Sequence, residues 1–374
     1  MSFQASTIVP GAPPVAGEDD EELSPIVVAS RDGELETVIE LLAADANPNC
    51  NANEAGYTAL MAAAEEGHVG VIELLIEAQA DPGVGMTEDG CTALMLAAGE
   101  CRVGCVVALL RSPRTDPNAA RSDDGSTALM LAAQEGFTTV ASRLLDGGAD
   151  ADALGTTLAT CTALALAAQQ GHTDVVALVV ERGAAPDRPK PDDGATPLSL
   201  AAAEGHTATV AALLGAGVDV DSARTDDGST PLTLAAQGGH LATVRCLLGA
   251  SADPNKTMLD GTSALMLAAQ EPVGPPGRVD FAGVINALLA SSADPDLARG
   301  DDGSTALTLA AQELNVRVTE ALLVAGADPN KARTDDGTTA LMFAAVEGEL
   351  FPRKFVLLVG VGGIRPGSQR LHSQ

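Results

Sequence analysis

A three-residue pattern, Thr-Ala-Leu or Thr-Pro-Leu, recurs along the 374-residue chain at a nearly constant interval. Its first residue marks each copy, and successive marks lie 34, 35, 35, 34, 34, 33, 42 and 34 residues apart. The nine marks are Thr58, Thr92, Thr127, Thr162, Thr196, Thr230, Ser263, Thr305 and Thr339. A weaker copy begins at Ser24, 34 residues before Thr58. A period of this size is typical of stacked repeats that share one core with their neighbours, so we expect about ten repeats over residues 24–360.

Each repeat has the same internal order, which the copy around Thr230 illustrates. Asp226-Asp227-Gly228 precedes the threonine and predicts a tight turn, because glycine adopts a positive φ without strain. Thr230 then opens a short helix whose first N–H groups it can cap. The pair Gly239-His240 separates this helix from a second one with apolar residues on one side. Proline in the closing stretch, residues 252–255, cannot extend the second helix. About twenty short helices in antiparallel pairs, with no extended sheet, are therefore expected.

The order of turn, helix, glycine break and second helix in about 33 residues resembles the ankyrin-repeat family. The resemblance extends over residues 24–360 and implies an all-α fold, an ankyrin-repeat solenoid of stacked helix-turn-helix units with projecting hairpin loops. Residues 1–23 are rich in Pro, Gly and acid, and we expect an acidic, disordered N-terminal tail. Residues 361–374 are expected to form a disordered, basic C-terminal tail.

The chain departs from the family pattern at several places. The family usually has Thr-Pro-Leu-His, but the fourth residue here is Met, Ala, Ser or Thr and never His. We therefore expect the hydrogen bonds between repeats that this His provides in the family to be absent or replaced. Residues 158–160 (Leu-Ala-Thr) replace one acidic turn, an insertion lies near residues 272–279, and the last repeat loses its pattern after Gly348.

Composition narrows the classes of partner. Aromatic residues make up 2% of the chain, with one Tyr and no Trp, which favours thin, closely packed helices over the thick core of an enzyme. The net charge of -30 disfavours nucleic acid and anionic membranes and favours basic partners. No apolar run reaches the ~20 residues that a membrane span needs. The six cysteines show no zinc spacing and the first residues resemble no signal peptide, so we expect a cytoplasmic monomer, with the nucleus as an alternative location.

Residues capable of catalysis or metal binding show no matching arrangement. Four of the five histidines follow the inter-helix glycine, one per repeat, where they are expected to pack the turn. Aligned with the other repeats, Cys101 occupies the glycine position and Cys105 a core valine position, so both are interpreted as packing residues, with a redox or metal role as the alternative. No phosphate-binding loop, metalloprotease or hydrolase motif occurs. We predict no catalytic residue, no cofactor and no metal.

Acidic residues instead recur at two positions of the repeat that resemble the contact face of ankyrin proteins. One is the hairpin tip and the other is the end of the first helix. The predicted partner-binding residues are Tyr57, Glu88, Asp89, Asp123, Asp124, Glu135, Asp192, Asp193, Glu204, Asp226, Asp227, Asp301, Asp302, Asp335 and Asp336. The alternative is that Asp-Gly is simply suitable turn chemistry and that the glutamates keep the surface soluble.

These patterns predict a protein–protein interaction scaffold or adaptor that binds a Lys- or Arg-rich partner on its acidic concave and hairpin-tip face. The alternative is a regulatory inhibitor that masks a basic patch or localisation signal of one partner. An enzyme is not expected, because the repeats occupy residues 24–360 and leave no length for a catalytic domain.

Overall fold

The computed structural model describes residues 24–50, 55–155, 161–270 and 281–346. These residues form nineteen α-helices, and their only β-structure consists of isolated bridges. The all-α class predicted from the repeat is therefore confirmed. The chain divides into two compact bodies, an N-terminal body of residues 1–186 and a C-terminal body of residues 187–374.

The helices follow the repeat, with odd numbers for first helices and even numbers for second helices. The N-terminal body contains α1 (Pro25–Arg31), α2 (Leu35–Ala43), α3 (Ala59–Glu66), α4 (Val69–Glu77), α5 (Ala93–Gly99), α6 (Val103–Leu110), α7 (Ala128–Gln134), α8 (Thr138–Asp146), α9 (Ala163–Gln170) and α10 (Thr173–Glu181). The C-terminal body contains α11 (Pro197–Ala203), α12 (Thr207–Gly215), α13 (Pro231–Gln237), α14 (Leu241–Gly249), α15 (Ala264–Gln270), α16 (Phe281–Ala290), α17 (Ala306–Gln312), α18 (Val316–Val324) and α19 (Ala340–Val346).

Neighbouring repeats pack helix on helix in two parallel layers within each body. In the C-terminal body α11, α13, α15, α17 and α19 contact one another in order, and so do α12, α14, α16 and α18. The same order holds for the odd and even helices of the N-terminal body. The two helices of one repeat bury little by themselves, so the core is completed by the next repeat.

The threonine or serine that marks each of the nine clear repeats caps its first helix, as the sequence predicts. Thr230 Oγ1 accepts a hydrogen bond from the N–H of Thr233 at 3.3 Å, and Ser263 Oγ accepts from Met266 at 3.3 Å. A cap of this kind stabilises a helix by about 1 kcal/mol. Nine such caps are formed in the described residues, whereas Ser24 at the start of α1 makes no side-chain cap.

In five repeats the fourth residue, where the ankyrin pattern has His, completes the cap from the other side. Thr233 Oγ1 accepts from the N–H of Thr230 at 2.8 Å, and Ser199 Oγ accepts from Thr196 at 2.9 Å. Met61 Sδ lies in the same position, 3.4 Å from the Thr58 nitrogen. The interaction expected between repeats is thus replaced here by one within the helix.

First helices approach one another closely because alanine lines the layer between them. Ala132 and Ala133 in α7, and Ala235 and Ala236 in α13, have no exposed surface. The larger side chains, such as Leu213 in α12, fill the space on the second helices. Small residues in one layer and branched residues in the other explain the Ala-, Leu- and Val-rich composition.

Contacts between consecutive repeats also form at the break between the two helices. His172 Nε2 lies 2.8 Å from the carbonyl oxygen of Gln134, at the end of the first helix in the preceding repeat. His68 and His240 make the same contact with Arg31 and Ala203. The sequence predicts only that these histidines pack their own turn, whereas in the structure they also join that turn to the neighbouring repeat.

One repeat replaces the Gly-His pair with Cys101-Arg102. Cys101 is exposed at φ +57, and Arg102 Nε donates to the carbonyl of Glu65 at 2.8 Å, as the histidines do elsewhere. Cys105 is buried, and burial raises the pKa of its thiol to about 11. The alignment that assigns Cys101 to the glycine position and Cys105 to the core is confirmed.

Thr319 carries a hydroxyl that is buried and has no hydrogen-bond partner. It replaces a core valine, the position of Val244 in α14, and a buried hydroxyl without a partner costs free energy. We expect Thr319→Val to raise the free energy of unfolding by about 1 kcal/mol, measured by urea denaturation. Thr233→Val removes a bonded hydroxyl of the same residue type and should lower it; equal effects of the two changes would contradict this explanation.

Several sequence predictions lie outside the described residues. They concern the tails at residues 1–23 and 361–374, the turn at 158–160, the insertion near 272–279 and the pattern after Gly348.

Candidate functional site

In the described residues, a hairpin closed by a backbone hydrogen bond precedes seven of the first helices, α5, α7, α11, α13, α15, α17 and α19. In the repeat of Thr230, the N–H of Arg224 donates to the carbonyl of Ser229 at 2.9 Å, which closes the hairpin. The N–H of Ser229 donates to Asp227 Oδ1 at 2.8 Å, and Gly228 takes φ +77. The second aspartate of Asp-Asp-Gly is therefore part of the turn itself, in agreement with the alternative interpretation of this motif.

Neighbouring tips are joined through their backbones. The N–H of Thr225 donates to the carbonyl of Asp193 at 2.9 Å, and the equivalent bond is formed at each following tip of the C-terminal body. We call these five joined tips the hairpin row: residues 190–194, 224–228, 258–261, 299–303 and 333–337. In the N-terminal body, tips 86–90 and 121–125 are joined in the same way by the bond from Ser122 to Asp89.

Twelve of the fifteen predicted partner-binding residues lie on these tips. Asp192, Asp193, Asp226, Asp227, Asp301, Asp302, Asp335 and Asp336 belong to the hairpin row, and Glu88, Asp89, Asp123 and Asp124 belong to the two N-terminal tips. Adjacent carboxylates are therefore brought together along each body, as the repeat predicts.

An arginine that sequence reasoning overlooked lies between successive tips. Arg224 Nη2 is 2.7 Å from Asp226 Oδ2 in its own tip and 3.1 Å from Asp193 Oδ2 in the preceding one. Only 15% of the Arg224 side chain is exposed. The same bridging is made by Arg121, Arg299 and Arg333. The sequence does contain a signal for this contact, because each of these arginines stands six positions before the threonine of its repeat.

The bridging arginines neutralise only part of the charge. Arg224 contacts Asp193, Asp226 and Asp227, so one guanidinium faces three carboxylates. Over the whole hairpin row, nine aspartates face four basic side chains, Lys190, Arg224, Arg299 and Arg333. The row is consequently an ordered surface with an excess of negative charge.

The arginines also keep these carboxylates ionised. The hydrogen bond from Arg333 lowers the pKa of Asp335, and the charge of Arg333 and nearby backbone N–H groups act in the same direction. At Asp123, partial burial works to raise the pKa, but the hydrogen bond and charge of Arg121 outweigh it and lower the pKa below its usual value. A carboxyl whose pKa is lowered on folding stabilises the fold above its unfolded pKa, about 4, and this contribution is lost as the pH falls through the folded value.

We expect Arg333→Gln to raise the pKa of Asp335 toward the ordinary aspartate value, because the substitution removes both the hydrogen bond and the positive charge. An NMR titration of the side-chain carboxyl carbons measures the change. Asp123, which pairs with Arg121 in the other body, serves as the internal control and should not shift. An unchanged pKa at Asp335 would show that the ion pair does not set it.

The remaining predicted residues lie near the ends of first helices. Glu135 and Glu204 are the C-caps of α7 and α11, both exposed, and neither has a cationic partner in the described part of the chain. Tyr57 lies one residue before Thr58, the N-cap of α3. Its hydroxyl is hydrogen-bonded to Glu65, and burial, together with that bond, raises the pKa of Tyr57. Tyr57 thus links the residues before α3 to the end of that helix.

A second series of aspartates, which are not among the predicted partner-binding residues, follows the second helices. Asp221 accepts from the N–H of Asp253 at 3.1 Å, Asn255 Oδ1 accepts from Asp294 at 2.7 Å, and Asp296 accepts from Asp328 at 2.8 Å. We call these residues, Asp187, Asp219, Asp221, Asp253, Asp294, Asp296 and Asp328, the loop row. Among the described residues, no salt bridge involves a loop-row carboxylate.

Two other kinds of feature, a metal site and a membrane-spanning helix, are absent from the described ranges. No group of three or more His, Cys, Asp or Glu side chains there could hold a metal ion. Their helices are also too short, or not apolar enough, to cross a lipid bilayer.

Comparison with known families agrees with this geometry. A sequence model described as ankyrin repeats (3 copies) matches residues 26–121, 94–190, 129–224, 198–282 and 277–358. A search of curated proteins gives no significant match.

Proposed function

This chain belongs to the ankyrin-repeat family, whose repeats mediate protein–protein interactions, and on that premise we propose that it is a scaffold or adaptor that binds a Lys- or Arg-rich partner segment. The partner lies along the acidic hairpin tips and the ends of the first helices. The proposal assigns the chain no catalytic step.

The observation that supports this proposal is the excess of carboxylates in the hairpin row, where nine aspartates face four basic side chains. The bonds between neighbouring tips hold these carboxylates in a fixed order, so a partner meets an organised surface. Asp192 and Asp301 are the more exposed members of their Asp-Asp pairs, with side chains 43% and 56% exposed against 22% and 21% for Asp193 and Asp302. Asp226 and Asp335 are exposed to a similar extent, 43% and 41%.

Charge of one sign on neighbouring tips produces a field that attracts basic segments before contact. Such steering raises association rates by roughly 10-fold to 10³-fold and weakens as salt rises, because the screening length is about 10 Å at 0.1 M. Aromatic residues, which often dominate binding energy, are scarce in this chain. Charge and breadth of contact must then supply most of the affinity.

The test replaces Asp192, Asp226, Asp301 and Asp335 together with asparagine, which leaves the turn-forming second aspartates intact. The probe is a fluorescent synthetic peptide of alternating Lys and Gly, and stopped-flow mixing measures its association rate at several salt concentrations. We expect the rate to fall by about tenfold at low salt and its salt dependence to flatten.

A variant with the same charge change in the loop row provides the matched control. Replacing Asp219, Asp253, Asp294 and Asp328 with asparagine keeps the side-chain oxygens that accept hydrogen bonds from the loop backbone. Equal losses in both variants would mean that net charge matters and the hairpin row does not. An unchanged rate in the hairpin variant would leave that row as a solubilising surface.

The alternative function, an inhibitor that masks a basic patch or localisation signal of one partner, draws on the same surface. Affinity capture from the native cell separates the two functions by their partners. Several proteins held at once indicate a scaffold, whereas one basic protein that is released by a signal indicates masking.

A further inference from the structure

One tip of the hairpin row differs from the others in length and in chemistry. Met258 donates its N–H to the carbonyl of Thr262 at 2.9 Å, which is the hairpin-closing bond made by Arg224, Arg299 and Arg333 in their tips. Leu259 donates to the carbonyl of Asp227 at 2.9 Å, as Thr225 does to Asp193. This tip is one residue shorter, so it lacks the first aspartate, and Met258 occupies the position of the bridging arginine.

The replacement leaves an aspartate of the preceding tip without its bridging cation. Asp193 and Asp302 each have an Oδ2 atom within 3.3 Å of an arginine in the following tip. The cation nearest to Asp227 is Arg224 of its own tip, with Nε 3.9 Å from Oδ1. The Asp227 side chain is 40% exposed, whereas those of Asp193 and Asp302 are 22% and 21% exposed.

The neighbouring Leu259 is the second unusual feature of this tip. This residue is 76% exposed, at a position where Thr225 and Thr334 are found in other tips of the row. A single exposed leucine is ordinary on a protein surface. Here it lies beside the one described Asp-Asp-Gly aspartate whose following tip offers methionine in place of a cation.

We propose that Asp227, Met258 and Leu259 form a subsite for a partner chain, in which a partner arginine or lysine binds Asp227 beside an apolar side chain that covers Leu259 and Met258. This proposal rests on the proposed function and specifies which partner sequence it selects. The partner cation takes the position that Arg224 takes between Asp193 and Asp226.

The negative charge and the apolar surface of this subsite together determine which partner segment can bind there. The surrounding aspartates, Asp226 and Asp260 among them, disfavour an acidic or purely apolar segment, and a purely basic segment leaves Leu259 exposed to water. An arginine can place its guanidinium on the carboxylate in a two-bond geometry. An adjacent leucine would then bury apolar surface, which favours binding in proportion to the area removed from water.

The test converts this tip to the chemistry of its neighbours in the full chain. Met258→Arg with Leu259→Thr supplies the missing cation and removes the exposed leucine, so the double variant is expected to fold with an unfolding temperature no lower than that of the original. Met86→Arg is the matched control, because Met86 makes the same hairpin-closing bond in the N-terminal body and the charge change is equal.

Two fluorescent synthetic peptides serve as probes, one containing Arg-Leu-Arg and the other Arg-Ser-Arg in the same Gly-Ser frame. We expect the original protein to bind the leucine peptide about tenfold more tightly by anisotropy, which is about 1.4 kcal/mol, and the double variant to lose that preference. Leu259→Thr alone should remove most of the preference while leaving the affinity for the serine peptide unchanged.

The outcomes separate this proposal from the one on which it rests. Equal affinity of the original protein for both peptides, or a double variant no different from Met86→Arg, overturns the subsite and leaves the acidic scaffold in place. If neither peptide binds the original protein, both proposals are wrong.

Discussion

Replacing Gly136 with alanine is expected to destabilise the protein by roughly 2–4 kcal/mol, through strain and overpacking together. Gly136 has φ +77, where a residue with a Cβ is strained, and that Cβ would lie 2.5 Å from His172 Nδ1. The imidazole cannot move aside without giving up its 2.8 Å contact with the Gln134 carbonyl. The substitution therefore disturbs two repeats at once, and urea denaturation followed by circular dichroism measures the loss.

Gly183 provides the control for this prediction within the same body. It has φ +97, but a Cβ at Gly183 would meet no atom within 4 Å. Gly183→Ala should therefore cost only the backbone strain, about 1 kcal/mol. A loss at Gly136 no greater than that at Gly183 would show that the histidine does not pack against the glycine in solution.

The second large effect is expected at the alanine layer between first helices. Ala236 lies in α13, has no exposed surface and faces a stack in which α13 contacts both α11 and α15. Ala236→Leu inserts three carbons where the helices have no room for them, so we expect a loss of roughly 2–3 kcal/mol in the free energy of unfolding.

Alanine and leucine have similar helix propensities, so a change at an exposed helical site isolates the packing effect. Ala242 in α14 is exposed, and Ala242→Leu should alter the free energy of unfolding by no more than about 0.5 kcal/mol. Chemical denaturation of both variants under the same conditions makes the comparison. Similar losses at the two alanines would mean that the first helices are not closely packed.

Much of the fold could be predicted from the sequence because the residues within each repeat determine its local structure. Thr230 at the start of a helix and Gly228 in the turn before it each have one physical role; nine copies repeat the first role, and eight have the glycine of the second. The role of His172 was less accessible, since its bonding partner lies 38 residues earlier and belongs to the neighbouring repeat. Interactions between repeats depend on the stacking offset, which a pattern within one repeat does not contain.

In the candidate site, too, the features within one repeat could be predicted from the sequence and the contacts between repeats could not. The positions of Asp226 and Asp227 on a tip follow from the Asp-Asp-Gly motif, but their charge in the folded protein depends on Arg224. That arginine is visible in the sequence, yet its reach to Asp193 emerges only when two tips are placed side by side. The exposure of Leu259 could not be predicted from the sequence. The spacing of 33 residues between Thr230 and Ser263 lies within the ordinary variation of the repeat, although here it results from a shortened tip.

The bridging arginine has a consequence for how such a chain can change in length during evolution. Each arginine binds the aspartate of its own tip and that of the tip before it, so the two bonded residues always belong to the same repeat or to consecutive repeats. Duplication or loss of one whole repeat by unequal recombination preserves every such pair on both sides of the junction. Arrays built this way can grow or shrink without a new interface, and a tip such as that of Met258, which breaks the pairing, is a mark by which individual copies can be told apart.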